Sequence, residues 1–171
     1  MIAAPVMARI PKPPAAATPG LDVSVVIAAP AAVILKAFFE PEALHAWWGV
    51  AHAVAAPRTL GPYAIEWAPT EYRDDVLGRL GGVFRGTVLQ FHPGQGFVLA
   101  DVYWLPPDGE PIGPMALEVT CTPVGQDLSA GTRVRVVQKG YEESARWRRY
   151  YEIVGHGWER ALLSLKSLVE R

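Results

Sequence analysis

The stretch ARWRRYYEIVGHGWERALLSLKSLVE, residues 145–170, decides the fold. It contains no proline, and its apolar residues recur at steps of three and four, the spacing of one helix face. This stripe consists of Trp147, Tyr151, Val154, Trp158, Leu162, Leu165 and Val169. It predicts one long C-terminal helix of about 25 residues. Gly155 and Gly157 lie inside it, each costing about 1 kcal/mol relative to alanine, so we expect a close approach or a bend there.

Short runs with a two-residue period precede this helix and predict antiparallel strands. Met115, Leu117, Val119 and Cys121 share one face, opposite Glu118 and its polar neighbours. Proline and glycine between the runs supply the turns. The predicted strands are 21–29, 52–57, 62–68, 82–92, 96–105, 115–122 and 132–139, and residues 70–81, which fit neither period, are predicted to be a loop.

Two short helices are predicted directly after the first strand. Pro30 is suited to the first position of a helix, and the apolar residues that follow it have helical spacing up to Phe39. The stretch PEALHAWWG, residues 41–49, places Leu44, Trp47 and Trp48 on one side of a second helix that stops at Gly49.

Length and composition limit the class of protein. The 171 residues fit one domain, 50% are hydrophobic, and the net charge of −1 lacks the basic excess of a nucleic-acid binder. Cys121 is the only cysteine, which excludes an intrachain disulfide and a multi-thiolate metal site and favours a reducing, cytoplasmic setting. The most apolar stretch, residues 25–39, is too short to span a membrane.

Residues 1–20 are rich in proline and alanine and predict a flexible tail. They lack the basic leader and continuous apolar core of a secretory signal, and Met7 is an alternative start to Met1. A single domain is therefore expected over residues 21–171.

The order of these elements suggests the α+β helix-grip arrangement, and several segments carry a family resemblance. They are SVVIAAPAAVILKAFFEPEALHAWWG (24–49), GPYAIEW (61–67), GTVLQFHP (86–93), WLPPDGEP (104–111), GTRVRVVQKGY (131–141) and GWERALLSLKSLVE (157–170). Over about residues 21–171 the chain resembles the AHSA1-like branch (activator of Hsp90 ATPase homologue) of the START/SRPBCC superfamily, which includes Bet v 1-like folds. The resemblance implies a curved antiparallel sheet of about six to seven strands wrapped around the long helix.

The resemblance also implies a mostly apolar cavity between sheet and helix. In the superfamily such cavities hold lipids, polyketides or other hydrophobic molecules, and a few members catalyse cyclisation. No cofactor is expected, and a homodimer is expected because related domains often pair. The co-chaperone's additional N-terminal domain has no counterpart here, so direct activation of Hsp90 is not expected.

The aromatic residues are the candidate ligand contacts, because an aromatic ring packs against an apolar ligand while its N–H or O–H can bind a polar edge. If the sheet curls over the helix, one interior volume is surrounded by Trp47 or Trp48, Tyr63, Trp67, Trp104, Tyr151 and Trp158. The hypothesis is a pocket for a small hydrophobic or aromatic molecule. The alternative is that the same side chains fill a solid core.

Two other functions stay open at this point. An enzyme of the cyclase or hydrolase kind needs a buried acid or base. Alternation points Glu66 and Glu118 outward and leaves Asp101 undecided. A protein-binding module resembling the co-chaperone would instead use an exposed apolar surface.

The remaining polar residues predict no further site. The four histidines lack the spacing of metal ligands, and Cys121 is expected to be buried and inert. The arginines of the last helix alternate with glutamates and are expected to form a solvated face, with an anionic partner as the alternative. They are Arg146, Arg148, Arg149 and Arg160.

Overall fold

A computed structural model describes residues 18–126 and 130–171. Most of the predicted tail, residues 1–17, lies outside these ranges, as do residues 127–129 in the last predicted turn. None of the helices in the described ranges combines the length and apolar character needed to cross a membrane.

Three helices and nine strands form within the described residues. In chain order they are β1 (Leu21–Ile27), α1 (Ala31–Ala37), α2 (Pro41–Trp48), β2 (His52–Ala55), β3 (Pro62–Trp67), β4 (Arg73–Asp74), β5 (Gly78–Arg79), β6 (Gly82–His92), β7 (Gly96–Leu105), β8 (Ile112–Pro123), β9 (Thr132–Lys139) and α3 (Ala145–Val169).

Seven of these strands form one antiparallel sheet in the order β1-β9-β8-β7-β6-β3-β2. The helix α3 packs against β1, α2 and α1, so it covers one face of the sheet. The predicted helix-grip fold, with two short helices after the first strand and a long C-terminal helix, is confirmed.

Alternation along β8 separates the core from solvent as the sequence predicts. Leu117 and Val119 are buried, whereas Glu118 between them is exposed. Each such aliphatic side chain stabilises the fold by about 1.5–3 kcal/mol through the apolar area it removes from water. The buried residues of the sheet, α1, α2 and α3 form one continuous hydrophobic core.

A β-bulge at Asp101 interrupts the alternation in β7. The register with β8 shifts between Leu99 and Val102, and Asp101 has a φ of 50°. Aspartate tolerates this left-handed conformation better than most residues. The extra residue moves the inward positions from Phe97 and Leu99 to Val102 and Trp104. Apolar residues therefore occupy both parities of this strand, while the Asp101 side chain is exposed.

Both predicted short helices are present, although α1 is shorter than the predicted stretch from Pro30 to Phe39. Pro30 precedes the first residue of α1 as its N-cap, one position earlier than predicted, and Pro41 is the first residue of α2. Gly49 ends α2 in the left-handed conformation with a φ of 68°, which glycine adopts without strain.

The helix α3 runs unbroken from residue 145 to residue 169 and begins with a hydrogen-bonded cap. The Ser144 hydroxyl accepts from the Trp147 backbone N–H at 3.2 Å. The expected close approach at Gly155 and Gly157 is wrong, because a Cβ added at either residue meets no atom within 4 Å. Gly157 instead borders the pocket described below.

Residues 70–81 were predicted as a loop but contain a small hairpin of β4 and β5. Its buried Asp74 carboxylate accepts hydrogen bonds from the backbone N–H of Val76 (3.0 Å) and Leu77 (2.9 Å). The Arg149 guanidinium of α3 also donates to this carboxylate, at 2.8 Å. These bonds fix the hairpin against α3.

Candidate functional site

A pocket of about 420 Å³ lies between α3 and the sheet, toward the β3 and β6 side. The end of α2, β3, the hairpin segment, β6, β7 and α3 all contribute to it. We call it the aromatic pocket because six of its lining residues carry aromatic rings. The lining residues are Trp48, Gly49, Trp67, Ala68, Thr70, Leu77, Leu80, Gly81, Phe84, Trp104, Tyr150, Ile153, Val154, Gly157, Trp158 and Arg160.

Three predicted contact residues form one wall of the pocket. The Trp48 ring centroid lies 5.2 Å from that of Trp67, at an interplanar angle of 78°, and 4.4 Å from that of Trp158. An edge-to-face contact such as the one between Trp48 and Trp67 adds about 0.5–1.5 kcal/mol to the burial of the rings. The three indoles therefore support one another around a common apolar surface.

Hydrogen bonds hold two of the pocket's indoles in place. Trp67 Nε1 donates to the Trp48 carbonyl at 2.9 Å. Trp104 is also a predicted contact residue, and its Nε1 donates to the Gly81 carbonyl at 2.8 Å. Since these N–H groups are already bonded to the backbone, the rings offer apolar surface to a ligand. Both bonds also orient the rings before a ligand enters.

Trp47 is placed in the core rather than along the pocket. Its ring stacks on that of Trp48 with centroids 4.9 Å apart, and its Nε1 donates to the Ala37 carbonyl at 2.9 Å. Successive helical residues point about 100° apart, so one of the two tryptophans faces the pocket and the other packs behind it.

Tyr63 and Tyr151 also lie in the core and do not line the pocket. The Tyr63 hydroxyl donates to the Phe38 carbonyl at 2.9 Å, and burial raises the pKa of Tyr63. The Tyr151 hydroxyl donates to the Gly140 carbonyl at 2.6 Å, and burial raises its pKa to about 12. Each tyrosine hydroxyl thus donates to a backbone carbonyl and helps to hold the core together.

Residues 28–170 match the family described as Activator of Hsp90 ATPase homolog 1-like protein. The chain belongs to the AHSA1 family. No curated protein matches the sequence significantly.

Solved structures show the same fold at low sequence identity. The Mesorhizobium loti protein MLL2253 is 21% identical with a TM-score of 0.65, the match covering 89% of this chain and 97% of that one. The Aha1 dimer from Colwellia psychrerythraea is 18% identical with a TM-score of 0.60, covering 88% and 96%. DynU16, from the dynemicin biosynthetic locus, is 17% identical with a TM-score of 0.59, covering 88% of this chain and 47% of that one.

The pocket of this AHSA1-family chain also has lining residues that the sequence analysis missed. Phe84 of β6 pairs in register with Trp104 of β7, and Leu77 and Leu80 come from the hairpin segment. Strand alternation could have indicated Phe84, because it shares the buried face of β6 with Val88. Nothing periodic marks Leu77 and Leu80, because residues 70–81 have neither a helical nor a strand spacing.

Tyr150 of α3 lines the pocket and forms a buried polar pair with Gln138 of β9. Gln138 Nε2 donates to the Tyr150 hydroxyl at 2.8 Å, and Gln138 Oε1 has no hydrogen-bond partner among the described residues. Burial raises the pKa of Tyr150, so this phenol stays neutral at physiological pH. The pair is a neutral, buried polar group behind the pocket's wall.

The candidate acids of this AHSA1-family chain lie away from the aromatic pocket. Glu66 and Glu118 are exposed, as alternation predicts, and Glu66 lies 3.3 Å from His52 on the neighbouring strand. Asp101, undecided from the sequence, is exposed at its bulge. Cys121 is buried, and burial raises the pKa of its thiol to about 12. No carboxylate is among the described lining residues, so the buried acid that the enzyme alternative needs is not found there.

Proposed function

We propose that this protein binds a small hydrophobic or aromatic molecule in the aromatic pocket. The observation that carries the proposal is a volume of about 420 Å³ surrounded mainly by aromatic and aliphatic side chains. Pockets for drug-sized ligands range from about 300 to 1,000 Å³ and are lined mostly by such residues. The size favours one compact ring system or a single short chain.

The expected affinity is moderate. Ligands of drug size gain about 0.3 kcal/mol per non-hydrogen atom, so a ligand of about 20 such atoms gains about 6 kcal/mol. This corresponds to a Kd of tens of micromolar. Most of that free energy would come from apolar area removed from water, at about 25 cal/mol per Å².

The pocket's fixed geometry supports binding without large rearrangement. Trp67 and Trp104 are held by backbone hydrogen bonds, and the hairpin carrying Leu77 is tied to α3 by the Asp74–Arg149 pair. Preformed rings lower the ordering cost of association. A polyketide-like aromatic, which the family resemblance implies, is one ligand class to test.

Fluorescence titration with N-phenyl-1-naphthylamine tests the proposal. This neutral two-ring probe should bind the folded protein saturably, with a blue-shifted emission and quenching of the pocket tryptophans Trp48, Trp67, Trp104 and Trp158. Urea-unfolded protein is the control and should give no saturable signal. A linear, non-saturating response of the folded protein would contradict the proposal.

We propose in addition that the protein is a cytoplasmic homodimer. The Colwellia psychrerythraea fold neighbour is a dimer, and a single, buried cysteine suits a reducing compartment. Sedimentation equilibrium should give about twice the mass of 18.6 kDa. A monomer mass across the accessible concentration range would contradict the dimer without affecting the pocket.

A further inference from the structure

Arg160 places a positive charge at the edge of the aromatic pocket. It is exposed on α3, one turn beyond Gly157, and lines the pocket. It also lines a shallow depression on the outer surface next to Tyr72 and His156. Arg160 is therefore at the boundary between the apolar interior and solvent. No other charged residue is among the lining residues that the structure describes.

The other arginines of the last helix already have partners. The Arg148 guanidinium pairs with Glu143, and that of Arg149 pairs with Asp74 and Glu152. Arg146 donates to the Glu110 carbonyl at 2.7 Å.

Arg160 differs from these three, since in the described parts of the chain its guanidinium has neither an ion pair, as Arg148 and Arg149 have, nor a backbone carbonyl partner, as Arg146 has. Its guanidinium is left for another anion.

We propose that the ligand of the aromatic pocket is an amphipathic organic acid, with its apolar body among the indoles and its anionic group on Arg160. This inference rests on the proposed function. An anion inside the apolar part of the pocket would lose its hydration without a partner, which is costly. At the mouth it stays partly hydrated and meets a guanidinium, whose planar donors match a carboxylate bidentately.

The volume favours a soluble acid over a membrane lipid. About 420 Å³ accommodates one ring system or one short chain, and lipids with two long chains are larger than drug-sized ligands. A lipid surface would supply the same combination of apolar and anionic groups, so the experiment includes it as a separate arm.

Two probes that share one skeleton isolate the charge. 8-Anilino-1-naphthalenesulfonate carries the N-phenylnaphthylamine body plus a sulfonate, whereas N-phenyl-1-naphthylamine is neutral. Each is titrated into wild type, Arg160→Gln and Arg58→Gln at low ionic strength. Arg58→Gln is the matched control because it removes the same charge from an exposed loop residue outside the pocket lining.

The expected result is a selective loss. Arg160→Gln should raise the Kd of the sulfonate about fivefold, the size of a good exposed ion pair, and change the Kd of the neutral probe by less than about twofold. Added salt should weaken sulfonate binding to wild type and have little effect on Arg160→Gln. Arg58→Gln should match wild type for both probes.

Other outcomes separate the two proposals. Failure of wild type to bind the neutral probe contradicts the proposed function, whereas neutral binding with an unchanged sulfonate Kd in Arg160→Gln contradicts only the acid. Equal weakening of both probes by Arg160→Gln also overturns the acid. In the lipid arm, Arg160-dependent binding to phosphatidylglycerol vesicles without competition by free decanoate would reassign the charge to a membrane surface and overturn the soluble acid.

Discussion

Filling part of the aromatic pocket from Gly157 should weaken ligand binding while the fold is retained. A Cβ built on Gly157 or on Gly155 meets no atom within 4 Å apart from the neighbouring backbone of α3, so there is room for a side chain to begin at both residues. The two glycines differ in one respect, because Gly157 lines the pocket and Gly155 does not. Gly157→Leu is therefore the test, and Gly155→Leu is its matched control on the same helix.

The expected loss of affinity follows from the part of the pocket that a leucine side chain would fill. A leucine side chain fills on the order of 100 Å³, about a quarter of the pocket. Excluding about 60 Å² of apolar ligand area costs about 1.5 kcal/mol, which raises Kd at least about tenfold. Both variants also replace a helix-interior glycine, which should raise the free energy of unfolding by about 0.8 kcal/mol and Tm by about 2–3 °C.

Titration with N-phenyl-1-naphthylamine and thermal unfolding by circular dichroism measure the two effects separately. Gly157→Leu should bind the probe at least about tenfold more weakly than Gly155→Leu. Both variants should unfold at or above the wild-type temperature. Wild-type affinity in Gly157→Leu, or an equal loss of affinity in both folded variants, would refute the reasoning.

Two further predictions concern groups outside the pocket's lining. Asp74→Asn should lower the free energy of unfolding in urea by about 2 kcal/mol, because it weakens the hydrogen bonds of this buried carboxylate to Arg149 and to the hairpin backbone. The hydrogen bond from Arg149 lowers the pKa of Asp74 in the folded state. The difference in the free energy of unfolding between wild type and Asp74→Asn should therefore persist above pH about 3.9 and shrink as acid protonates the carboxyl. A difference that does not change with pH would contradict this. Cys121 should react with a thiol reagent at pH 8 only after unfolding, and rapid reaction of native protein would contradict its burial.

The fold was predictable because its elements repeat a simple period over many residues. The three- and four-residue steps from Trp147 to Val169 continue through the whole of α3, and alternation in β8 keeps one face buried from Met115 to Cys121. One residue that departs from the period does not hide it in an element of this length. The hairpin of β4 and β5 was missed because each of its strands has only two residues, too few to show a period.

The pocket was harder to predict because it depends on the rotation of single residues. Trp47 and Trp48 both lie on the apolar side of α2, yet one packs in the core and the other faces the pocket. Tyr150 and Tyr151 differ in the same way on α3. A hydrophobic stripe identifies the buried side of a helix, but it does not show which side chains on that side pack in the core and which face a cavity. Asp101 stayed undecided because a bulge cannot be located from alternation alone.

Crystallography with 6-bromo-2-naphthoate tests the central claim most directly, since the anomalous signal of bromine locates the ligand independently of the protein density. The claim predicts a bromine peak inside the aromatic pocket, within about 4 Å of the Trp48, Trp67 or Trp158 side chains. A pocket closed by its own side chains, or a saturating ligand bound only elsewhere on the molecule, would contradict it.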